Sequence, residues 1–255
     1  MDTLFPTLSP ALLALAFAIT FLAGWVKGMV GFAMPMIMIS LLSSVMDPEL
    51  ALAGLILPTL VTNGMQALRQ GTGAAMASVK RFRLFLGVGL VALLISAQLV
   101  RVLPQSVLLL LIGVPVAIFA ALQLVGWTLR LPQRGRGVIE AALGGIGGFM
   151  GGFSGVWGPP TVLYLAALDT PKAESMRIQG VIYGAGAVVL AGAHLVSGVL
   201  RAETLPFSLA MIVPAYLGMA LGTRAHDKID QQAFRKATLA VLLLTSLNLI
   251  RRALV

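Results

Sequence analysis

Lys27 is the one charged residue that falls inside an apolar stretch of this 255-residue chain. A cation there costs about 2.5–3.5 kcal/mol on insertion scales, so an ionisable side chain at such a place is a functional candidate by default. Its chemistry is electrostatic. An ammonium holds an anion, and the unpaired N–H groups of a nearby helix N-terminus strengthen the same field. The competing reading is that Lys27 snorkels to an interface or neutralises a helix end. Asn63 and Gln66 lie near one face of a later apolar run, with Thr59 one turn before Asn63. They would line a polar cavity or hydrogen-bond between helices. Trp157 and Tyr164 flank a second candidate position, although aromatics in membrane helices also simply pack. His194 is a candidate proton carrier or a satisfied buried histidine.

These residues are organised by a stretch that occurs twice. The first copy is Gly24-Trp-Val-Lys-Gly-Met-Val-Gly-Phe-Ala-Met-Pro35, and the second is Gly148-Phe-Met-Gly-Gly-Phe-Ser-Gly-Val-Trp-Gly-Pro159. Without a gap, Gly24 meets Gly148, Gly28 meets Gly152, Gly31 meets Gly155, Pro35 meets Pro159, and Lys27 meets Gly151. Glycine is costly inside a helix and proline removes a backbone donor. Each copy is expected to break an apolar helix, with Gly24, Pro35, Gly152, Pro159 and Pro160 as the breaking residues. Helices broken at matching points in two halves point to a transporter's binding site. Close packing through Gly24-xxx-Gly28 and Gly148-xxx-Gly152 is the second use such glycines have. The substrate site is expected at Lys27, Gly28, Gly31, Asn63, Gln66, Ser154, Gly155 and Trp157.

Gly152-Phe-Ser-Gly155 also matches the Gly-x-Ser-Gly pattern of rhomboid-type intramembrane proteases, with His194 as the partner histidine of a serine–histidine pair. Both glycines recur as Gly28 and Gly31, where Val30 replaces the serine. The duplication therefore accounts for them, and a short match without structural context is weak. No catalytic residue is expected.

The composition places all of this in a bilayer. Hydrophobic residues make up 58%, mean hydropathy is +0.97, and only 11% are charged, against about 25% in a soluble domain. The net charge of +9 lies in short loops between apolar runs, which signals membrane orientation rather than nucleic acid. The chain has no cysteine, so disulfides, thiol catalysis and cysteine metal sites are excluded. No metal or other cofactor is expected. The first residues lack the basic n-region of a signal peptide, so the first apolar run reads as mature structure.

Apolar runs cover 11–30, 32–45, 50–68, 84–100, 106–128, 138–153, 156–168, 178–199, 205–222 and 237–250. The run 32–45 reaches only about 21 Å as a helix, short of a hydrocarbon core of about 30 Å. Its counterpart 156–168 is short in the same way. The expected organisation is a first repeat (1–129), a cytoplasmic linker (130–137) and a second repeat (138–255). Each repeat is a broken, re-entrant helical hairpin plus three transmembrane helices, in an all-α polytopic membrane protein. If the hairpins enter and leave on one side, the repeats are inverted. Thirteen bases, from Arg69 to Lys236, then lie on the cytoplasmic side. Four lie outside: Arg101, Arg201, Arg251 and Arg252. A single crossing per broken segment gives ten and seven, and the positive-inside rule prefers the first count. Both ends of the chain are expected outside.

The duplicated Gly-x-x-x-Gly-x-x-Gly…Pro element resembles the TauE/SafE sulfite-exporter family. So do the turn Asp47-Pro48-Glu49-Leu-Ala-Leu-Ala, the helix end Ala67-Leu-Arg-Gln-Gly71 and the late segment Leu217-Gly-Met-Ala-Leu-Gly222. The likeness covers nearly the whole chain. Lys27 and Met29-Val-Gly-Phe-Ala-Met34 depart from the family's more glycine-rich pattern. The resemblance implies transport of a small sulfur-containing anion, such as sulfite, sulfoacetate or another organosulfonate, across the bacterial inner membrane, often outward. The expected partners are that anion and the lipid bilayer, with a homodimer left open. An anion channel is the nearest alternative. No carboxylate lies within a span, so a buried acid relay is not expected. Uniport, proton coupling through the substrate or His194, and anion exchange stay open.

Overall fold

The computed structural model describes residues 9–127, 129, 136–225 and 231–254. Arg130, Arg134 and Lys228, counted among the cytoplasmic bases, lie outside the described residues, as do the first eight. The described chain forms α1 (Pro10–Val30), α2 (Met34–Leu42), α3 (Pro48–Leu68), α4 (Thr72–Arg81), α5 (Arg83–Ala97) with a 3-10 turn (Gln98–Arg101), and α6 (Gln105–Leu124). It continues with α7 (Arg136–Ser154), α8 (Gly158–Ala167), α9 (Lys172–Ser197), α10 (Leu205–Ala225) and α11 (Gln231–Leu254). No strand occurs among the described residues. Among the described residues, six helices are long and apolar enough to cross a bilayer: α1, α3, α5 with its turn, α6, α9 and α10. The protein is an all-α polytopic membrane protein.

Local chemistry sets the helix starts. Ser9 caps α1 by accepting from Leu12 N at 3.2 Å, with Pro10 at the first helical position. Asp47 caps α3 by accepting from Glu49 N at 2.8 Å, with Pro48 in the same role. Three differences from the sequence reading concern polar stretches. The basic loop after α3 contains α4, whose Ala, Met, Lys and Arg residues are good helix formers but carry too little hydropathy to register. The polar segment 169–177 is largely absorbed into the start of α9, where Glu174 in the first turn suits the helix dipole. The charged loop after α10 gives way to α11 at Gln231.

Two seams of small residues hold the bundle. α1 packs along α10, and α7 packs along α5. Gly24 lies against the backbone of Ala215 and Gly28 against that of Met219, so four residues along one helix match four along the other. Gly144, Gly148 and Gly152 meet the backbones of Phe85, Gly89 and Leu93 with the same spacing. Both pairs therefore run parallel, with backbones too close for any Cβ at these positions. α3 and α9 run antiparallel, with Asn63 near Tyr183 and Gln66 near Met176.

Ion pairs mark two faces of the bundle. At one, Glu49 at the start of α3 pairs with Arg201 at 2.6 Å, and the Arg252 guanidinium donates to Ser43 O. At the other, Arg81 pairs with Glu174 at 2.7 Å, and Arg177 donates to Gln70 Oε1 at 2.8 Å. α1 descends from the Glu49 face and α2 returns to it. α7 and α8 do the same from the other face, where Tyr164 OH, late in α8, donates to Glu140 Oε2 near the start of α7 at 2.9 Å.

Candidate functional site

Each hairpin turns at a left-handed glycine. Gly31 (φ 85°) ends α1 with its N–H on Lys27 O at 2.7 Å. Gly155 (φ 69°) follows α7 with its N–H on Gly151 O at 2.8 Å. This conformation favours glycine and is a standard helix C-terminal stop. Pro35 and Pro159 then sit in the first turns of α2 and α8, where a missing N–H is harmless. Gly24 and Gly152 do not break anything. α1 runs unbroken through Gly24 and α7 through Gly152, and both residues serve the packing seams instead. Carbonyls freed at the breaks would be unpaired in an apolar setting. Side chains from other spans meet them: Gln66 Nε2 donates to Gly31 O at 2.9 Å, and His194 Nε2 to Gly152 O at 2.7 Å; the Gln66 amide also reaches Met176 O in α9 at 3.0 Å.

Lys27 lies in the last turn of α1 and is 2% exposed, so it does not snorkel. Its Nζ donates to Thr62 Oγ1 at 3.0 Å and to Asn63 Oδ1. Asn63 Nδ2 in turn donates to Tyr183 O at 3.2 Å, which fixes the amide with its oxygen toward the lysine. The ion pairs found among the described residues use Arg81, Arg177 and Arg201, and none involves Lys27. An ammonium has three N–H donors. Two hydrogen bonds from Nζ go to these neutral acceptors among the described residues.

Two cavities share Lys27 as a wall. The smaller lies where the breaks meet, among Phe32, Ala33, Asn63, Trp157 and Tyr183, and holds about 10 Å³, roughly the limit for one water. The larger holds about 350 Å³ and is lined by residues that include Gly28, Gly31, Gln66, Arg69 and Arg224. Lys27, Gly28, Gly31, Asn63, Gln66 and Trp157 thus line one or the other of these two cavities. Asn63 and Gln66 both hydrogen-bond between helices and line cavities, so the two readings of them coexist.

Ser154 and Gly155 belong to the second break but line neither cavity. Ser154 Oγ donates to Met150 O of its own helix at 2.5 Å and accepts from Val156 N at 3.3 Å. His194 is fully buried and has both ring nitrogens engaged, the second with Ser197 Oγ at 3.0 Å. No hydrogen bond joins the Ser154 and His194 side chains. Trp157 lies against Gly151 and Gly186 and stacks on Tyr183, with ring centroids 6.4 Å apart. The indole Nε1 and the Tyr183 hydroxyl are buried without a hydrogen-bond partner among the described residues. Sequence reasoning missed Thr62, Tyr183, Arg69 and Arg224 as members of the site. Thr62 carried a faint signal as the neighbour of Asn63 inside a span.

Two helical hairpins, each turning at a left-handed glycine, thus pack around a buried lysine that has no carboxylate partner among the described residues. The model of the sulfite exporter TauE/SafE family matches residues 16–249, and the chain belongs to this family of membrane transporters. No curated protein and no solved structure matches the chain.

Proposed function

We propose that the protein is a secondary transporter that moves a small sulfur-containing anion, such as sulfite, sulfoacetate or another organosulfonate, outward across a bacterial inner membrane. One observation carries the reading. Lys27 presents a buried amino group to two cavities, held by neutral acceptors and with no carboxylate beside it among the described residues. The family description supplies the sulfur oxyanion and the outward direction. The small gap between the breaks, about 10 Å³, supports a carrier over a channel.

Inverted repeats fit the arrangement. α1 with α10 and α7 with α5 are matching pairs, and the hairpins turn back toward opposite faces. The loop-charge bias puts the Arg81–Glu174 face in the cytoplasm, with both chain ends outside.

The test is flux into proteoliposomes for a panel of sulfite, sulfoacetate, other sulfonates and carboxylates. Saturable flux that prefers the sulfur oxyanions is expected. A preference for carboxylates would overturn the substrate class, and non-saturating flux would indicate a channel.

A further inference from the structure

We propose that the larger cavity is a loading station for the anion, separate from the gap between the breaks. Arg69 and Arg224 hold the anion at its mouth, and Lys27 receives it at the inner end. The inference rests on the transporter reading only for the class of ligand.

Four elements converge on this cavity: the end of α1, the end of α3, the start of α9 and the end of α10. Its volume of about 350 Å³ lies within the range of small-molecule pockets. The gap beyond Lys27 is too small for any sulfur oxyanion, so a ligand arriving from this face stops here first. Its lining holds three bases and, among the described residues, no acid. A cleft lined by one sign of charge concentrates counter-ions and accelerates their arrival.

Arg69 and Arg224 are exposed, and their side chains make no hydrogen bond or ion pair among the described residues. Other bases of the same face are engaged: Arg81 and Arg177 share Glu174, and Arg177 also reaches Gln70 and Ser78. The two cavity arginines are therefore free to take an oxyanion with their forked donors. The rest of the wall includes Met65, Met176 and Met219. Thioether side chains adapt to shape and compete poorly for hydrogen bonds. The anionic group then has strong partners only at the two ends, which suits transfer from mouth to lysine.

The chain has no cysteine, so a single Thr223→Cys places one thiol in the cavity wall; Met65→Cys is the second position should the first fail to fold. The purified protein is treated with a sulfonate-bearing methanethiosulfonate and with its trimethylammonium counterpart. The anionic reagent is expected to react about tenfold faster relative to its rates on a free thiol, and sulfoacetate is expected to slow it. Adding Arg69→Gln and Arg224→Gln should abolish the charge preference and weaken half-protection by sulfoacetate about tenfold or more. Unchanged preference and protection in the folded double variant would overturn the station. Protection without any flux of sulfonates in proteoliposomes would instead keep the station and sink the transporter reading.

Discussion

The indole of Trp157 occupies the space that Gly151 leaves open, and a Cβ at residue 151 would collide with its Nε1. In the first half the two matching positions hold Lys27 and Ala33. Each half thus has one long side chain and one small residue at these positions, in opposite order. The first half carries its bulk before the break and the second carries it after. Both halves turn at a left-handed glycine, Gly31 and Gly155, but the helix caps that follow differ, with Ala33 at φ 77° and Trp157 at φ −102°. One ammonium and one indole face each other across the gap instead of two ammonium groups, which would repel.

Gly151→Ala should therefore be destabilising despite the general preference of helices for alanine. The nearest atoms belong to a ring wedged between Gly151 and Gly186, which has nowhere easy to move. Overpacking of this kind costs about 1–3 kcal/mol. A lowered thermal midpoint in detergent is expected, with recovery in Gly151→Ala/Trp157→Leu. A single variant as stable as wild type would show that the indole moves freely.

His194 joins the end of α9 to the second break through Gly152 O. A glutamine can supply the same N–H, whereas leucine leaves a buried carbonyl unpaired, at about 1–3 kcal/mol. His194→Gln should keep both thermal stability and flux, and His194→Leu should lose stability. Flux lost in a stable His194→Gln, together with its pH dependence, would identify the histidine as a proton carrier.

The breaks were legible in the sequence because glycine and proline act through local backbone geometry. The chain turns at Gly31 and Gly155, inside the two stretches, with Pro35 and Pro159 in the helix starts that follow. Gly24 and Gly152 were misassigned for the same reason: packing and breaking draw on one residue type, and only a neighbouring helix distinguishes them. Lys27 stood out because an isolated charge in an apolar run is costly wherever it lies. Its partners did not, since Thr62 and Tyr183 depend on how α3 and α9 are rotated against α1. Arg69 and Arg224 read as loop charges that set orientation. They became one cavity only when the ends of α3 and α10 met in space. α4 was invisible to hydropathy because its composition is that of a surface helix.

The orientation can be checked at two exposed positions on opposite faces. Val102 adjoins Arg101 and is 73% exposed, while Val138 adjoins the start of α7 and is 74% exposed. With no native cysteine to interfere, each can be replaced singly by cysteine. An impermeant thiol reagent added to intact cells should label residue 102 and spare residue 138. Labelling of 138 alone would turn the protein over, and labelling of both would remove the two-face assignment.

Lys27→Met gives the most direct reading of the site. Methionine keeps the length and apolarity of the side chain, so the helix should insert and pack as before. It leaves Asn63 Oδ1 without a donor and removes the one charge common to both cavities. A charge-assisted contact is worth about 1.5–3 kcal/mol, or roughly ten- to a hundredfold in affinity. Sulfoacetate titrated against purified protein should bind that much more weakly to the variant. Lys27→Arg is not expected to restore binding, because a planar fork cannot donate to Thr62, Asn63 and a ligand as a compact ammonium does. Asn63→Asp tests the same charge from the other side. It offers Lys27 a carboxylate at the place of the present amide oxygen, and the resulting pair should bind the anion weakly while remaining folded. Wild-type affinity in both Lys27→Met and Asn63→Asp would mean that Lys27 only neutralises the end of α1, where a cation is favoured by the helix dipole.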